Sequence, residues 1–420
     1  MDYEIIKDIL EIEDKSAEEK LSMISKIAQK FEAIDNYANE IALSEGRKVT
    51  IDDEHRATMK FASDMGLSLE KDEQEVIENI RGGIFYLVER QLQNGGWGRS
   101  QKERIPERIH DFIKADHSEG LASAWLTTMA IVTLTAWHRF FNKDEDVEKS
   151  IIKGLKWLKE NQDSNGAWRD VDRFVIESPT NVIQTGMAIV GLVYGIIRFA
   201  KKDLKVNIDD GMNFLEKTQD KKSGGWPSLS GAPPDSKATS ISVLASLFAN
   251  RKDLATKGIE WIIHNQNSEG DWGYKVTPDS FLFGVYYGLE ALEGYQLLNN
   301  AFLLKNPDFR LKVNRSIQKA LNWYVKANKL IKSSDGYNWA FQSEDEMDDV
   351  ANTAAAVTVL LDCAEDDFSF VINKSIEFLL NKRDQSEYWG GDTSVVLLSL
   401  IRYVKPESRL CNSLYDLFNE

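Results

Sequence analysis

Two kinds of helical segment alternate along the chain from about residue 80. The first kind is amphipathic, with apolar residues every three or four positions and an aromatic residue near its end, as at Tyr86 and Trp157. The second kind carries small and apolar residues on nearly all faces, as in the runs that begin at Ala124 and Gln184. A helix that is apolar all round is surrounded by protein, so the second kind is predicted to lie inside the first. The remaining pairs have their aromatic residue at Phe214, Trp261, Trp323 and Phe378, and their apolar run from Ala238, Phe283, Asn352 and Thr393.

One Gln-to-Gly-to-Trp turn joins the two helices of each pair. Its first copy reads Gln91-Leu-Gln-Asn-Gly-Gly-Trp97, and successive copies end 46 to 71 residues apart. The last two copies are weaker, and the sixth has Lys382 and Ser386 in place of Gln and Gly. A unit of this length buries its apolar face only against its neighbours, which favours a double ring of six inner and six outer helices. The copies end at Trp97, Trp168, Trp226, Trp272, Trp339 and Trp389.

Residues 1–80 are predicted to form an N-terminal helical extension, ahead of a ring at residues 81–420. They are highly charged and place apolar residues at helical spacing, as at Leu21, Ile24 and Ile27. They contain no Trp and no Pro. The extension either packs on the ring or serves as an arm for a partner protein, and the helical spacing favours packing.

The composition is that of a globular protein with an acidic surface. The 420 residues are 42% hydrophobic and 28% charged, with a formal net charge of −16. Such a surface repels nucleic acid and anionic lipid, so broad electrostatic binding to either is excluded. A local basic patch and a peripheral contact with a membrane are both compatible with this charge.

No segment is predicted to cross a membrane. Residues 181–197 are uncharged, but the run is short and contains Asn181, Gln184 and Thr185, which favours a buried helix. The first residues lack the pattern of a signal peptide. The two cysteines, Cys363 and Cys411, form no disulfide framework, so a reducing cytoplasm is the expected compartment.

A cluster of acids precedes the fifth apolar helix. Glu346, Asp348 and Asp349 end the run Glu344-Asp-Glu-Met-Asp-Asp, just before Ala354. Acids ahead of a helix favour the positive end of its dipole. Carboxylates are also able to hold a cation or to supply a proton. The residues alone leave all three roles open.

The repeated turns resemble the QW repeats of squalene–hopene and oxidosqualene cyclases. The resemblance covers roughly residues 80–405, with four good copies out of six. It implies the α/α-toroid shared by class II terpene cyclases and protein prenyltransferase β-subunits. In these turns the Gln amide is expected to cap a neighbouring helix and the Trp to stack over it, so the motif indicates a fold rather than a chemistry.

A second resemblance lies in the acidic cluster. The residues from Trp339 to Gln342 read WAFQ, and DVANTAAAV follows from Asp349, similar to the squalene–hopene cyclase pattern WAFQ then DVDDTA. In that family the middle Asp of DxDD protonates an alkene or epoxide from a dry, preorganised pocket. Here Ala351 replaces that acid and Asn352 replaces the third Asp. A second alignment, Glu346-Met-Asp348-Asp349, keeps two adjacent acids, with Asp348 as the acid, but loses the Thr-Ala anchor, and the anchored alignment is favoured.

Further polar and aromatic residues are predicted at one mouth of the ring. Asp235 and Asp279 precede inner helices, where each is a good helix N-cap and would also border a central cavity. Aromatic side chains stabilise carbocations and also fill ordinary cores. The candidates for lining a cavity are Trp125, Tyr286, Tyr287, Trp339 and Phe341.

Two functions follow as hypotheses. The first is a terpene cyclase-like toroid that acts on or binds an isoprenoid in its central cavity, with the acid drawn from Asp348 or Asp349 if it is catalytic. The second is a non-catalytic toroid that binds a partner protein or an apolar ligand, the DxDD acid being lost at Ala351 and Asn352. No cofactor is expected, and no zinc, since no His follows His264; Mg²⁺ would be needed only if the substrate is a diphosphate.

Overall fold

The computed structural model describes residues 73–99, 121–169, 180–229, 231–273, 281–324, 331–333, 336–339, 346–384 and 388–409. Within these ranges the chain consists of helices joined by turns and short ribbons. In chain order the helices are α1 (Glu73–Glu89), α2 (Ala124–Phe140), α3 (Glu145–Glu160), α4 (Val182–Phe199), α5 (Lys205–Thr218), α6 (Ser236–Phe248), α7 (Lys252–Asn265), α8 (Phe281–Leu298), α9 (Asn300–Lys305), α10 (Pro307–Tyr324), α11 (Glu346–Asn381) and α12 (Thr393–Val404).

The helices alternate between an outer and an inner layer. The outer helices α1, α3, α5, α7 and α10 bury one stripe each, whereas every residue of the inner helix α6 except Lys237 is buried. The other inner helices are α2, α4, α8 and α12. α11 supplies one helix of each kind, because non-helical backbone angles at Ala364 and Phe368 divide it in two.

The inner helices close into a ring. In the order α2, α4, α6, α8, first part of α11 and α12, each packs on the next, and α12 packs back on α2. At the closing contact the Thr133 hydroxyl donates to the Ser394 carbonyl over 2.9 Å. Two bonds show that α2 and α4 run parallel. The Trp125 N–H donates to Gln184 Oε1, and three residues further along both helices the Thr128 hydroxyl donates to the Met187 carbonyl. The predicted all-α toroid of six hairpins is confirmed.

Close packing between inner helices uses glycines on α4. A side chain at Gly186 would place its Cβ 2.6 Å from Ile241 Cγ2 on α6. One at Gly191 would place its Cβ 2.8 Å from Thr128 Oγ1 on α2. Because protein interiors leave no room for such overlaps, these two positions set how near α4 lies to both neighbours.

Short antiparallel ribbons lie at the end of the ring where the six tryptophans precede the inner helices, here called the Trp end. The opposite end, where inner helices finish as at Phe140 and Val404, is called the far end. The sequence indicated polar loops for the ribbon segments, and their backbone pairing was not predicted. The pairs are β1 (Gly98–Arg99) with β2 (Leu121–Ala122), β3 (Trp168–Arg169) with β4 (Thr180–Asn181), and β5 (Ile331–Ser333) with β6 (Gly336–Asn338).

The first hairpin begins before the predicted boundary at residue 81. Its outer helix α1 starts at Glu73 and packs on α12 and α2. The rest of the predicted extension, residues 1–72, lies outside the described residues.

The apolar run predicted to be a buried helix is the inner helix α4. Among the described helices it is the one long and apolar enough to span a membrane, and 72% of it is buried in protein. Its residues Val182 to Ile189 are all buried. The prediction of a buried helix is confirmed.

Candidate functional site

Each repeat tryptophan closes the end of the outer helix that precedes it. Its indole Nε1 donates to a backbone carbonyl in or near the last turn of that helix, where carbonyls lack a partner within the helix. The same bond recurs in all six turns at nearly one length, so these tryptophans form structural contacts. The bonds run from Trp97 to Leu87 (2.7 Å), Trp168 to Leu158 (2.8 Å), Trp226 to Leu215 (2.7 Å), Trp272 to Ile262 (2.7 Å), Trp339 to Tyr324 (2.7 Å) and Trp389 to Leu379 (2.7 Å).

The glutamine of each clean turn connects one outer helix to the next. Gln162 Nε2 donates to the Gly166 carbonyl in its own turn and to the Asn207 carbonyl on α5, over 2.9 and 2.8 Å. Gln266 likewise reaches Gly270 and Ser316 on α10, over 2.9 Å in both cases. The prediction that this amide caps a neighbouring helix is therefore modified. The amide donates to carbonyls within the next helix.

In five of the turns, a threonine near the start of the inner helix accepts from the N–H of the repeat tryptophan. The Trp97 N–H donates to Thr127 Oγ1 over 3.0 Å, and the Trp339 N–H donates to Thr353 Oγ1 over 3.1 Å. This bond was not predicted, although a threonine lies in each of these apolar runs. The remaining examples are Thr185, Thr239 and Thr393.

The threonines give the inner helices a common register, which assigns a position to Asp349. Four residues before the threonine stand Ser123, Asn181 and Asp235, each the N-cap residue of its helix. In the fifth repeat this position is Asp349, whose carboxylate accepts from Asn338 Nδ2 at 3.3 Å and whose carbonyl accepts from the Thr353 hydroxyl at 2.5 Å. Asp349 therefore occupies the position that the N-cap residue has in those repeats, although α11 itself begins about one turn earlier, at Glu346.

The position two residues before the threonine faces the lumen of the ring. In the first and third repeats it is Trp125 and Lys237. Lys237 Nζ lies 4.2 Å from the centroid of the Trp125 ring, although α4 stands between their helices. In the fifth repeat the same position is Ala351, which is 7% exposed. The equivalent position of this repeat therefore carries a methyl group, at the residue where the resemblance expects the proton donor.

Aromatic side chains meet across the lumen. The rings of Trp125 on α2 and Tyr287 on α8 are edge to face, 5.3 Å apart. Tyr286 and Tyr287 form a second edge-to-face pair at 4.6 Å. α2 and α8 are not neighbours in the ring, so the contact between Trp125 and Tyr287 spans it. Trp125 is half-buried and both tyrosines are buried, so Trp125 is the most accessible of these three aromatic residues.

Deeper in the ring lies a buried ionic cluster. Arg402 Nη1 on α12 donates to Glu290 Oε1 on α8 over 2.8 Å and to Asp362 Oδ2 on α11 over 2.5 Å. The three side chains are only 5%, 6% and 5% exposed. Burial alone disfavours the charged guanidinium, yet Asp362 and Glu290 hold the pKa of Arg402 above its ordinary value. Burial, with the nearby Glu290 charge, also raises the pKa of Tyr286, which therefore stays protonated. No motif in the sequence pointed to this cluster.

Comparison with known proteins assigns the chain to a family. Residues 51–287 match the squalene-hopene cyclase C-terminal domain, which is more than half of the chain. The chain belongs to this family. Lanosterol synthase ERG7 of Saccharomyces cerevisiae is 30% identical over 98 residues, which are 23% of this chain and 12% of that protein. The matched part is thus about an eighth of the relative's length.

Solved structures share the fold of this family member. The type II terpene cyclase MstE from Scytonema has a TM-score of 0.55 at 14% identity, covering 78% of this chain and 98% of that one. A further MstE variant is in complex with its substrate, geranylgeranyl dihydroxybenzoate, with a TM-score of 0.51. A variant of the alpha-1,6-mannanase GH76A of Salegentibacter sp. HEL1_6 also scores 0.55, at 9% identity over 80% of this chain and 100% of that one. One fold therefore serves unlike chemistries, and the chemistry must be argued from residues.

The predicted site residues of this squalene-hopene cyclase family member separate into groups. Trp125, Tyr286 and Tyr287 come together in the lumen. Trp339 is fully buried and forms the indole bond of its repeat. The match to the family ends at residue 287, so it does not include the acidic cluster. Phe341, Asp279 and the side chains of Glu346 and Asp348 lie outside the described residues.

Asp235 is held by the protein through both carboxylate oxygens. Oδ1 accepts from the Ala238 N–H at 2.9 Å, which is an N-cap bond. Oδ2 accepts from the Ser228 N–H at 2.8 Å and from the Ser228 hydroxyl at 2.5 Å. The expectation that this aspartate caps its helix is confirmed.

Replacing Asp235 by alanine is expected to lower the free energy of unfolding by about 1–2 kcal/mol, because the cap bond and the Ser228 bonds are lost together. Urea unfolding followed by circular dichroism measures this. Asp253→Ala is the matched control: Asp253 is an exposed acid in the first turn of α7, and it should change stability by less than about 0.5 kcal/mol. Equal effects of the two changes would contradict a capping role.

Proposed function

We propose that this member of the squalene-hopene cyclase family binds an isoprenoid at the Trp end of its ring and does not start cyclisation from the DxDD position. The observation that carries the proposal is Ala351. By the register of the threonines it is equivalent to Trp125 and Lys237, and the family resemblance expects the proton donor at this residue. A methyl group has no proton to give.

Asp349 is a poor substitute for that donor. Protonation of an alkene needs an acid aimed at the substrate within hydrogen-bonding reach. Asp349 stands at the cap register, two residues from the lumen-facing position, and its carboxylate accepts from the Asn338 amide. A hydrogen bond donated to the carboxylate favours its charged form, which has no proton to give.

The lumen supports binding at the Trp end. Trp125 and Tyr287 meet across it, and Lys237 lies against the Trp125 ring, so these side chains form a floor below the mouth of the ring. Aromatic faces give an apolar chain a large contact area. MstE, with one toroid of similar extent, accommodates a substrate with a geranylgeranyl group, which supports a ring of this size as an isoprenoid site. The buried ionic cluster deeper in the ring makes that region unfavourable for an apolar chain.

Geranylgeraniol and squalene are expected to bind the full chain and to be recovered unchanged. Equilibrium dialysis measures binding, and gas chromatography with mass spectrometry detects products. Trp125→Ala should weaken binding about tenfold, since part of the floor is removed. Phe141→Ala is the control: Phe141 is a half-buried aromatic residue at the other end of α2, and it should leave binding unchanged.

The competing outcomes are distinct. A cyclised product from squalene, 2,3-oxidosqualene or geranylgeranyl diphosphate that is lost in Asp348→Asn or Asp349→Asn would establish class II catalysis and overturn the proposal. If none of these isoprenoids binds, the proposal that the ligand is an isoprenoid is wrong. That result would favour a partner protein or a different apolar molecule as the ligand.

A further inference from the structure

A second cleft lies at the far end of the ring, away from the aromatic floor. It is bordered by the last turns of α2, α4 and α12 and by the 3₁₀ turn Pro406–Ser408 that follows α12. Its empty space, including the part open to solution, is about 320 Å³. Each of the three helices contributes one arginine to its lining: Arg139, Arg198 and Arg402. Among its lining residues there is no carboxylate.

Arginines near helix C-termini have an ordinary role, since they complement the negative end of the helix dipole. Two further atoms in this cleft are not accounted for in that way. Arg402 Nε and Thr135 Oγ1 are buried and have no hydrogen-bond partner among the described residues. Arg402 is 5% exposed by side chain and Thr135 is 3% exposed. Buried polar groups in folded proteins are nearly always satisfied, so two such groups in one cleft indicate a ligand.

The lining defines the chemistry of that ligand. Guanidinium groups present several N–H donors in a plane that matches the oxygens of a phosphate, and a threonine hydroxyl adds another donor. Glu290 and Asp362 already accept from Arg402 Nη1, whereas Nε of the same group has no acceptor among the described residues. Val132 and Leu398 make part of the wall apolar.

We propose that this cleft binds a phosphate group, held by Arg139, Arg198, Arg402 Nε and Thr135 Oγ1. The phosphate comes either from a free ion in solution, such as diphosphate, or from the headgroup of an anionic lipid. This site is separate from the aromatic floor, and binding of phosphate there does not depend on the proposed function.

A lipid source is relevant because the far end carries an exposed apolar surface. α9 and the start of α10 expose Phe302, Leu304 and Leu311, which are 44%, 62% and 47% accessible. Lys305 and Arg310 are exposed beside them. Apolar side chains among basic ones are typical of surfaces that rest on anionic membranes.

Titration calorimetry of the full chain with inorganic phosphate and with diphosphate tests the site. Arg139→Gln combined with Arg198→Gln should lower the affinity at least tenfold, whereas Arg81→Gln, an exposed arginine on α1, should leave it unchanged. Thr135→Val keeps the shape and removes one donor, so it should lower affinity about fivefold without lowering the melting temperature. This variant keeps the test decisive if the double variant fails to fold.

Sedimentation with vesicles of phosphatidylcholine, with and without phosphatidic acid, distinguishes the two sources. Binding to phosphatidic acid vesicles that the two arginine substitutions and Leu304→Glu both weaken identifies a lipid headgroup. Binding of phosphate or diphosphate without vesicle binding identifies a free ion. If neither ion nor vesicle binds, or if Thr135→Val and the arginine substitutions leave binding unchanged, the cleft is not a phosphate site.

Discussion

Replacing Arg402 by methionine should lower the free energy of unfolding by about 3–5 kcal/mol, one of the two largest effects expected from a single change in this chain. The guanidinium is the cation that Glu290 and Asp362 share, and all three side chains are buried. Methionine leaves two carboxylates in a low dielectric without a counter-charge, which is far more costly than loss of the ion pairs alone. Urea unfolding measured by circular dichroism gives the change.

The control for this prediction removes the charges together. Arg402→Met combined with Glu290→Gln and Asp362→Asn should recover most of the lost stability, because no uncompensated charge stays buried. A cost of less than about 1 kcal/mol for Arg402→Met alone would contradict the prediction. It would mean that water reaches the carboxylates, whereas the structure shows them buried.

Trp226→Ala is expected to cost about 3–5 kcal/mol, since it empties the space of a fully buried indole. Trp226→Phe keeps most of the packing and loses the bond from Nε1 to the Leu215 carbonyl, so it should cost about 1–2 kcal/mol. The two variants together separate packing from the hydrogen bond.

Trp261→Phe provides the comparison for the second prediction. Trp261 is a half-buried residue of α7 outside the repeated turn, and its replacement should cost less than Trp226→Phe. A Trp226→Phe protein as stable as the parent would show that the indole bond contributes nothing. The repeat would then be held by packing alone.

The ring could be predicted because each feature that indicates it lies within a short segment of the sequence. Helical periodicity identifies outer helices such as α3, uniform apolarity identifies inner helices such as α6, and the recurring tryptophan sets the number of hairpins. The five threonines were also visible in the sequence, but their role becomes clear only when Thr353 and its equivalents are seen to accept the same hydrogen bond from a tryptophan N–H. That shared bond supports the alignment in which Ala351 takes the place of the acid.

The interior of the ring could not be predicted because its contacts join residues distant in sequence. Glu290 and Arg402 are 112 residues apart, and each stands alone in an apolar run where a charge suggests no partner. Trp125 and Tyr287 were predicted as lining residues, but their meeting across the lumen depends on the diameter of the closed ring. The cleft at the far end is formed by the ends of three helices, and no single segment of the sequence predicts it.

Closure of the inner ring on itself has a consequence for how the chain changes in length. In an open array a hairpin is gained or lost at an end while the others keep their packing. Here the contact of α12 with α2 means that losing one hairpin would force every remaining angle between neighbours to change. Insertions are therefore confined to the links between helices, as α9 illustrates between α8 and α10.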